Sequence, residues 1–125
     1  MLTHLSIQNF ALIETLDISF DEGLTIITGE TGAGKSILLG ALSLLLGQRS
    51  DSQSLLNKNK KCVIEGSFDI KDYGFNGFFE THQLDYDNQA VIRREVNAKG
   101  KSRAFINDTP VTLELLSELG GMLVD

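Results

Sequence analysis

Gly29, Gly34, Lys35 and Ser36 stand at the spacing G-x-x-x-x-G-K-S, the pattern in this sequence best suited to chemistry. Glycines let the backbone turn tightly and bring its N–H groups against a phosphate, where a side chain would block the approach. In such a loop the lysine ammonium lies between the β- and γ-phosphates of a nucleotide, and the serine hydroxyl takes one coordination position of Mg²⁺. The pattern therefore predicts a nucleotide-binding loop with Ser36 as a metal ligand, made of Gly29, Glu30, Thr31, Gly32, Ala33, Gly34, Lys35 and Ser36.

A phosphate loop needs a strand that enters it and a helix that leaves it. Residues 24–28 are β-branched and apolar enough for a buried strand, and a strongly apolar helix is predicted from Ser36 to Leu46, ended by Gly47. The positive end of that helix would face the phosphates. The alternative is a glycine-rich turn before a core helix, which would require the complete motif to arise by chance in a short chain.

Composition limits the remaining possibilities. The 125 residues, 42% of them hydrophobic, suit a single domain with a real core. The absence of a long apolar run and of a secretory signal predicts a cytoplasmic chain without a membrane partner. Cys62 is the single cysteine, and neither His4 nor His82 has a second ligand at metal spacing, so no zinc site is assigned. A net charge of −6 gives no general attraction to nucleic acid, so such contact requires a local patch.

Two strands are predicted before the loop strand, at residues 3–8 and 12–20. This favours an ABC-type ATPase head over a nucleoside-monophosphate kinase, which usually reaches its phosphate loop directly from its first strand. After the loop we expect a short helix through Leu55 and Leu56, a solvated basic loop at 58–61, a strand at 62–70 with apolar positions on both faces, and a short helix within 73–80.

A basic hairpin follows, with strands at residues 90–96 and 102–107. Five cations are concentrated there against Glu95 alone, namely Arg93, Arg94, Lys99, Lys101 and Arg103. They could contact a DNA phosphate backbone, or they could form a charged edge that discourages aggregation. The sequence leaves both interpretations open.

The last segment predicts a turn at residues 107–110, a helix that Thr112 caps and that ends at Gly120 and Gly121, and a strand from Met122 onward. Asp125 is not assigned as the Walker B carboxylate. No glutamate follows it to act as a general base, and no signature motif separates it from the phosphate loop.

Three blocks of sequence together resemble the amino-terminal part of the bacterial RecN family of DNA repair proteins, in the SMC-like branch of the ABC ATPases. They are residues 5–13, residues 29–38 continuing through 47–49, and residues 102–107 continuing through 119–120. The middle block would suit many ABC proteins, whereas the third is far more particular to this family. The resemblance spans nearly the whole chain.

The resemblance implies an α/β fold, a P-loop NTPase lobe of ABC/SMC type with a mixed sheet, an antiparallel β portion and the P-loop helix. Residues 1–125 would be the amino-terminal lobe of a split head, ending before the Q-loop. The signature serine, the Walker B aspartate, the catalytic glutamate and the switch histidine would lie in the other lobe, so no catalytic residue is assigned here. Arg49 would face the nucleotide, and Ile37 would offer only its backbone N–H to the α-phosphate.

The cofactors implied by the resemblance are ATP and Mg²⁺. The implied partners are the carboxy-terminal lobe of the same head, a second head in a homodimer, and DNA, with the full-length protein associated with the nucleoid. Two alternatives remain open. One is a self-sufficient small P-loop NTPase or kinase; the other is a DNA-binding or dimerising module in which Arg93, Arg94 and Arg103 matter more than Lys35.

Overall fold

The computed structural model of the chain describes residues 1–20, 32–49 and 55–123, and for residues 32–35 it describes the backbone alone. Within these ranges strands and helices follow one another in the order β1 (Leu2–Phe10), β2 (Ile13–Ser19), α1 (Gly32–Leu45), β3 (Cys62–Asp69), α2 (Asn76–Thr81), β4 (Gln89–Val96), β5 (Ser102–Ile106), β6 (Thr109–Val111) and α3 (Leu113–Leu123). The predicted strand at 24–28 lies outside the described residues.

The described strands form one sheet in the order β2-β1-β3-β4-β5-β6, and every neighbouring pair is antiparallel. The predicted strands at 3–8, 12–20 and 62–70 are confirmed, as is the basic hairpin, which is formed by β4 and β5. Cys62 lies opposite Val96, and Val96 lies opposite Ser102. This register brings the start of β3 and the loop of the hairpin to the same end of the sheet.

One face of the sheet carries the core. Along β3 and β4 buried residues alternate with half-buried ones, as expected when only one face of a strand packs against helices. Apolar positions of β3 are therefore not spread evenly over both faces, because the strand buries a single row of alternate residues. Helix α1 packs on β3 and β4 and helix α3 packs on β5, which covers Ile64, Ile92 and Ile106 completely.

Helix α1 begins at Gly32, one turn earlier than predicted, and the chain leaves it at Gly47, whose φ of 110° favours glycine. The short helix expected within 73–80 is present as α2. Leu55 and Leu56 are not helical: Leu55 is buried in the core, whereas Leu56 is exposed. The rest of that predicted helix lies outside the described residues.

The prediction that Gly120 and Gly121 end the last helix is wrong, because α3 continues to Leu123. Met122 and Leu123 are consequently helical and do not start a strand, while Val124 and Asp125 lie outside the described residues. The physical reason is close packing. A Cβ at Gly120 would lie 2.4 Å from the carbonyl oxygen of Leu46, so this glycine serves the approach of α3 to the end of α1.

The turn predicted at 107–110 is shorter in the structure. Asn107 and Asp108 alone form it, with φ angles of 48° and 68°, both in the left-handed region. Thr109 and Pro110 already belong to β6, where Thr109 lies opposite Ile106. Proline is tolerated there because β6 is an edge strand of the described sheet.

Candidate functional site

The phosphate-loop motif leads directly into α1. Gly29, Glu30 and Thr31 lie outside the described residues, and the remaining motif residues form the first turn of the helix. N–H groups in a first turn lack intrahelical acceptors and carry partial positive charge, and no acidic side chain stands in this turn of α1. The Ser36 side chain is exposed, so its hydroxyl is accessible to a metal ion. These residues fit a bound phosphate with Mg²⁺.

Ile37 is half-buried and packs against the core, which leaves its backbone as the part suited to a nucleotide contact. Arg49 is exposed beyond the other end of α1. The motif lies at the amino end of α1 and Arg49 lies beyond its carboxyl end. The whole helix of 14 residues, about 20 Å long, therefore stands between them.

Arg94 occupies the carboxyl end of α1. Its side chain is 1% exposed, and one guanidinium nitrogen donates hydrogen bonds to the carbonyl oxygens of Leu44 at 2.6 Å and Gln48 at 2.9 Å. The other terminal nitrogen donates to Ser102 Oγ at 2.7 Å. A surface role in DNA contact, predicted for Arg94 from its place in a basic segment, is therefore wrong. Its positive charge lies against carbonyl oxygens at the carboxyl end of the helix, where the helix dipole favours a cation.

Burial sets the protonation chemistry around this arginine. Loss of solvent lowers the pKa of Arg94 from its ordinary value, an effect partly opposed by Cys62 nearby. Burial raises the pKa of the Cys62 thiol to about 11, although the Arg94 charge acts in the opposite direction. The thiol is 2% exposed and neutral at physiological pH, so it behaves as a small core side chain.

Arg93 points to the other face of the sheet and has its own partners. Its Nε lies 3.2 Å from a carboxylate oxygen of Glu95, and its Nη1 lies 3.4 Å from one of Asp108. Its guanidinium carbon sits 4.2 Å from the centroid of the Phe105 ring. Two carboxylates and an aromatic face thus engage Arg93, which leaves it less available to an external anion than its charge suggests.

Lys99, Lys101 and Arg103 are exposed at the tip of the β4–β5 hairpin. Asn97 shapes this tip, because its Oδ1 accepts hydrogen bonds from the backbone N–H groups of Lys99 and Lys101, both at 2.9 Å. A cavity of about 220 Å³ beside the tip is lined by Lys61, Glu95, Asn97, Lys101 and Arg103.

The basic loop at 58–61 lies at the same end of the sheet, held by Asn9. The Asn9 amide donates to the carbonyl oxygens of Asn57 at 3.0 Å and Lys60 at 2.9 Å, and its Oδ1 accepts from the Asn57 N–H at 2.6 Å. Lys61 then pairs with Glu95 at 3.3 Å. Asn9 has a φ of 56°, which places its side chain under this loop.

Six cations therefore share one end of the sheet, which we call the basic end: Lys58, Lys60, Lys61, Lys99, Lys101 and Arg103. They are six of the 11 lysines and arginines in an otherwise acidic chain. The solvent exposure predicted for the 58–61 loop is confirmed, but its proximity to the hairpin was not foreseen. The signal that could have found it is positional, since both basic runs directly adjoin the ends of strands that pair.

Within the described ranges, no three His, Cys, Asp or Glu side chains are grouped as ligands of a metal ion. Nor does any helix there combine the length and the apolar character required to cross a membrane.

An antiparallel sheet joined to a helix that starts in a phosphate-loop motif is typical of a lobe of the P-loop NTPase class. The chain belongs to the family described as AAA domain, whose model matches residues 4–118. The fold class and the RecN resemblance expected from the sequence are confirmed by the relatives and solved structures below.

The DNA repair protein RecN of Halalkalibacterium halodurans is 46% identical over 128 residues, which cover 100% of this chain and 22% of the relative. RecN of Bacillus subtilis is 42% identical over 127 residues, with the same coverage of 100% and 22%. This chain spans less than a quarter of the length of these relatives and aligns with their amino-terminal part.

Two solved structures share the fold. One comes from a study of ATP-driven dimerization and DNA-stimulated activation of SMC ATPases; its TM-score is 0.79 at 24% identity, and the match covers 98% of this chain and 79% of that one. The other is the recombination mediator protein RecF with ATP, with a TM-score of 0.64 at 21% identity and coverage of 98% and 30%. At these identities the likeness concerns the fold alone.

Proposed function

We propose that this chain is the ATP-binding amino-terminal lobe of a DNA double-strand-break repair and recombination ATPase of the SMC-like type. The observation that carries the proposal is the complete phosphate-loop motif at the start of α1, in a chain that aligns from end to end with RecN proteins. We expect the lobe to be located in the cytoplasm, and the full-length protein to be associated with the nucleoid.

The chain's own residues would bind the nucleotide. Backbone N–H groups of residues 29–34 would hold the β-phosphate, Lys35 would lie between the β- and γ-phosphates, and Ser36 would coordinate Mg²⁺. Bound Mg²⁺ would screen the phosphate charge that Lys35 leaves uncompensated. The Ile37 N–H would reach the α-phosphate. Arg49 stands a helix length from the motif, so its expected contact with the same nucleotide has no support in the geometry.

Hydrolysis would need residues that this lobe does not supply. We infer that the carboxy-terminal lobe brings the Walker B aspartate and catalytic glutamate, and that a second head closes over the γ-phosphate. ATP binding would then drive the heads together, and that closure would be coupled to holding DNA.

The test is to measure Mg·ATP binding and turnover by the chain. We expect wild-type binding without turnover above background, and a loss of at least about tenfold in affinity for Lys35→Ala, because a charge-assisted contact to phosphate is worth about 1.5–3 kcal/mol. Lys71→Ala, at an exposed lysine on the loop after β3, is the matched control and should bind like wild type. Sustained hydrolysis by the isolated chain that Lys35→Ala abolishes would instead support a self-sufficient small NTPase or kinase.

The basic end favours a second role, in DNA contact. Exposed cations that converge from two segments can follow a phosphate backbone, whereas Arg94 is buried and Arg93 is engaged by two carboxylates. We expect Lys101→Glu with Arg103→Glu to weaken duplex DNA binding and to lower the slope of log K against log salt by about 0.9 per lost phosphate contact. Lys71→Glu changes the charge elsewhere and should leave the slope unaltered. Equal weakening by both variants would refute a local DNA site and favour the dimerising interpretation. The charged-edge interpretation is wrong, because β4 and β5 are both interior strands of the described sheet.

A further inference from the structure

Arg94 connects two parts of the molecule that the proposed function treats separately. One terminal nitrogen of its guanidinium bonds to the carbonyl oxygen of Leu44 in the last turn of α1 and to that of Gln48 in the segment that follows the helix. The other holds the Ser102 hydroxyl at the start of β5, between Lys101 and Arg103 of the basic end. A single rigid side chain therefore touches both the nucleotide helix and the hairpin.

The surroundings make this connection stiff. A guanidinium is planar and keeps its donors in fixed directions, so a shift of α1 along its axis must either carry Arg94 with it or break the 2.6 Å bond to Leu44 and strain the bond to Gln48 beyond the helix. A buried cation whose carbonyl partners are removed is left poorly solvated, which makes breaking these bonds costly. Its Nε is already buried without a partner among the described residues, so loss of the carbonyl partners would leave still more of the buried cation unpaired.

Packing at the end of α1 limits other ways to absorb a shift. Gly47 lies against Ser117, where a Cβ would come 2.6 Å from the Ser117 Cα, and Gly120 lies against Leu46. Because backbone atoms are among the nearest neighbours at both glycines, a displacement of the end of α1 would press backbone against backbone there. The bonded path through Arg94 leads instead to the hairpin.

We propose that Arg94 is a positioning residue that couples nucleotide binding on α1 to the order of the basic hairpin. The inference rests on the proposed function, since it needs nucleotide at the motif. Binding at the start of α1 restrains the helix, Arg94 passes the restraint to Ser102, and the hairpin becomes better ordered. By linkage, the factor by which bound nucleotide changes the affinity of the basic end for a polyanion equals the factor by which the bound polyanion changes the affinity for nucleotide.

Hydrogen exchange of backbone amides 97–103, with and without saturating Mg·ATP, tests this coupling. In wild type we expect ATP to slow exchange about fivefold, the lower end of the range for coupled sites. Ser102→Ala removes the hairpin side of the connection and leaves the Arg94 bonds to α1, so ATP should still bind but the slowing should disappear. Ser102→Thr restores a hydroxyl and should restore the slowing.

Ser67→Ala is the matched control, because Ser67 stands on β3 on the sheet face opposite Arg94. It should keep the full effect of ATP. Arg94→Lys, which keeps the charge but cannot reach helix and hairpin together, should also lose the slowing. A cooperative thermal transition of this variant, even at a lower temperature, shows that the fold is kept.

The outcomes separate this inference from the function beneath it. If wild type does not bind Mg·ATP, the proposed function fails and the coupling fails with it. If ATP binds but exchange at 97–103 is unchanged in wild type, or remains slowed in Ser102→Ala, the coupling alone is overturned. A Ser102→Thr variant that behaves like Ser102→Ala would likewise overturn the role of the hydroxyl.

Discussion

Adding one methyl group at Gly120 and, separately, at its neighbour Gly121 tests the packing of α3 against α1. A Cβ at position 120 would lie 2.4 Å from the Leu46 carbonyl oxygen and 3.0 Å from its Cβ, whereas no atom of the neighbouring described residues lies within 4 Å of a Cβ at position 121. Both glycines are helical in α3. The two substitutions therefore share chemistry and helix position and differ only in the space they meet.

The structure predicts opposite signs. Alanine in place of glycine inside a helix stabilises by about 1 kcal/mol, and Gly121→Ala should gain this amount. Gly120→Ala gains the same helix-propensity contribution. Ordinary van der Waals contact begins near 3.4 Å, however, and the new Cβ would lie 2.4 Å from the Leu46 oxygen, so α3 must move about 1 Å away from the end of α1. Such overpacking costs about 1–3 kcal/mol, and a backbone obstacle places it at the upper end, so we expect a net loss of about 2 kcal/mol.

Urea denaturation followed by circular dichroism measures both effects, provided that the slope m is unchanged. The unfolding free energies of the two variants should differ by about 3 kcal/mol, the sum of the opposite shifts. Equal effects at the two positions would refute the packing argument. A destabilising Gly121→Ala would show that the helix ends at these glycines, as the sequence first suggested.

Two further predictions concern Cys62 and Thr112. The thiol of the unfolded chain ionises near pH 9.0, whereas the buried Cys62 thiol keeps its proton to about pH 11, so native stability should fall as pH rises between these values. Urea titrations of wild type and Cys62→Ala measure this effect. The difference between their unfolding free energies should drop by about 2 kcal/mol from pH 8 to pH 10.5. A difference that stays constant over this range would contradict the assigned pKa. Thr112 Oγ1 accepts a hydrogen bond from the Leu115 N–H at 3.1 Å. Thr112→Ala should therefore cost about 1 kcal/mol in thermal unfolding, whereas Thr112→Ser should retain most of the cap; equal losses would exclude the hydroxyl contact.

Local patterns were sufficient for most of the fold. Alternating apolar residues predicted the strands of the β4–β5 hairpin, and the threonine cap predicted the start of α3, because both signals act over a few residues. The prediction that the glycines near the end of α3 terminate that helix was wrong because it depends on a contact distant in sequence. The use of Gly120 is set by Leu46, more than 70 residues earlier in the chain, and no local rule contains that contact.

Arg94 shows where charge reasoning fails. Its neighbours in a basic segment suggested a surface residue, yet Ala90, Ile92, Arg94 and Val96 share the buried parity of β4. The alternation alone could have placed Arg94 inside. The carbonyl groups that make burial tolerable belong to α1, and only the folded chain brings them there. The phosphate-loop motif can be recognised without such contacts because its residues are contiguous, and its role in nucleotide binding stays a prediction.

The pairing of β1 with both β2 and β3 has a consequence for how the chain folds. β1 and β2 form a local hairpin, but the other edge of β1 can be satisfied only when Cys62–Asp69 is available, after the segment that carries the phosphate loop. Closing that long loop costs chain entropy before any contact repays it, so folding should be slow, with the β3–β4–β5–β6 meander forming early. During synthesis on the ribosome, the amino-terminal hairpin would keep one edge of β1 unpaired until β3 has been synthesised.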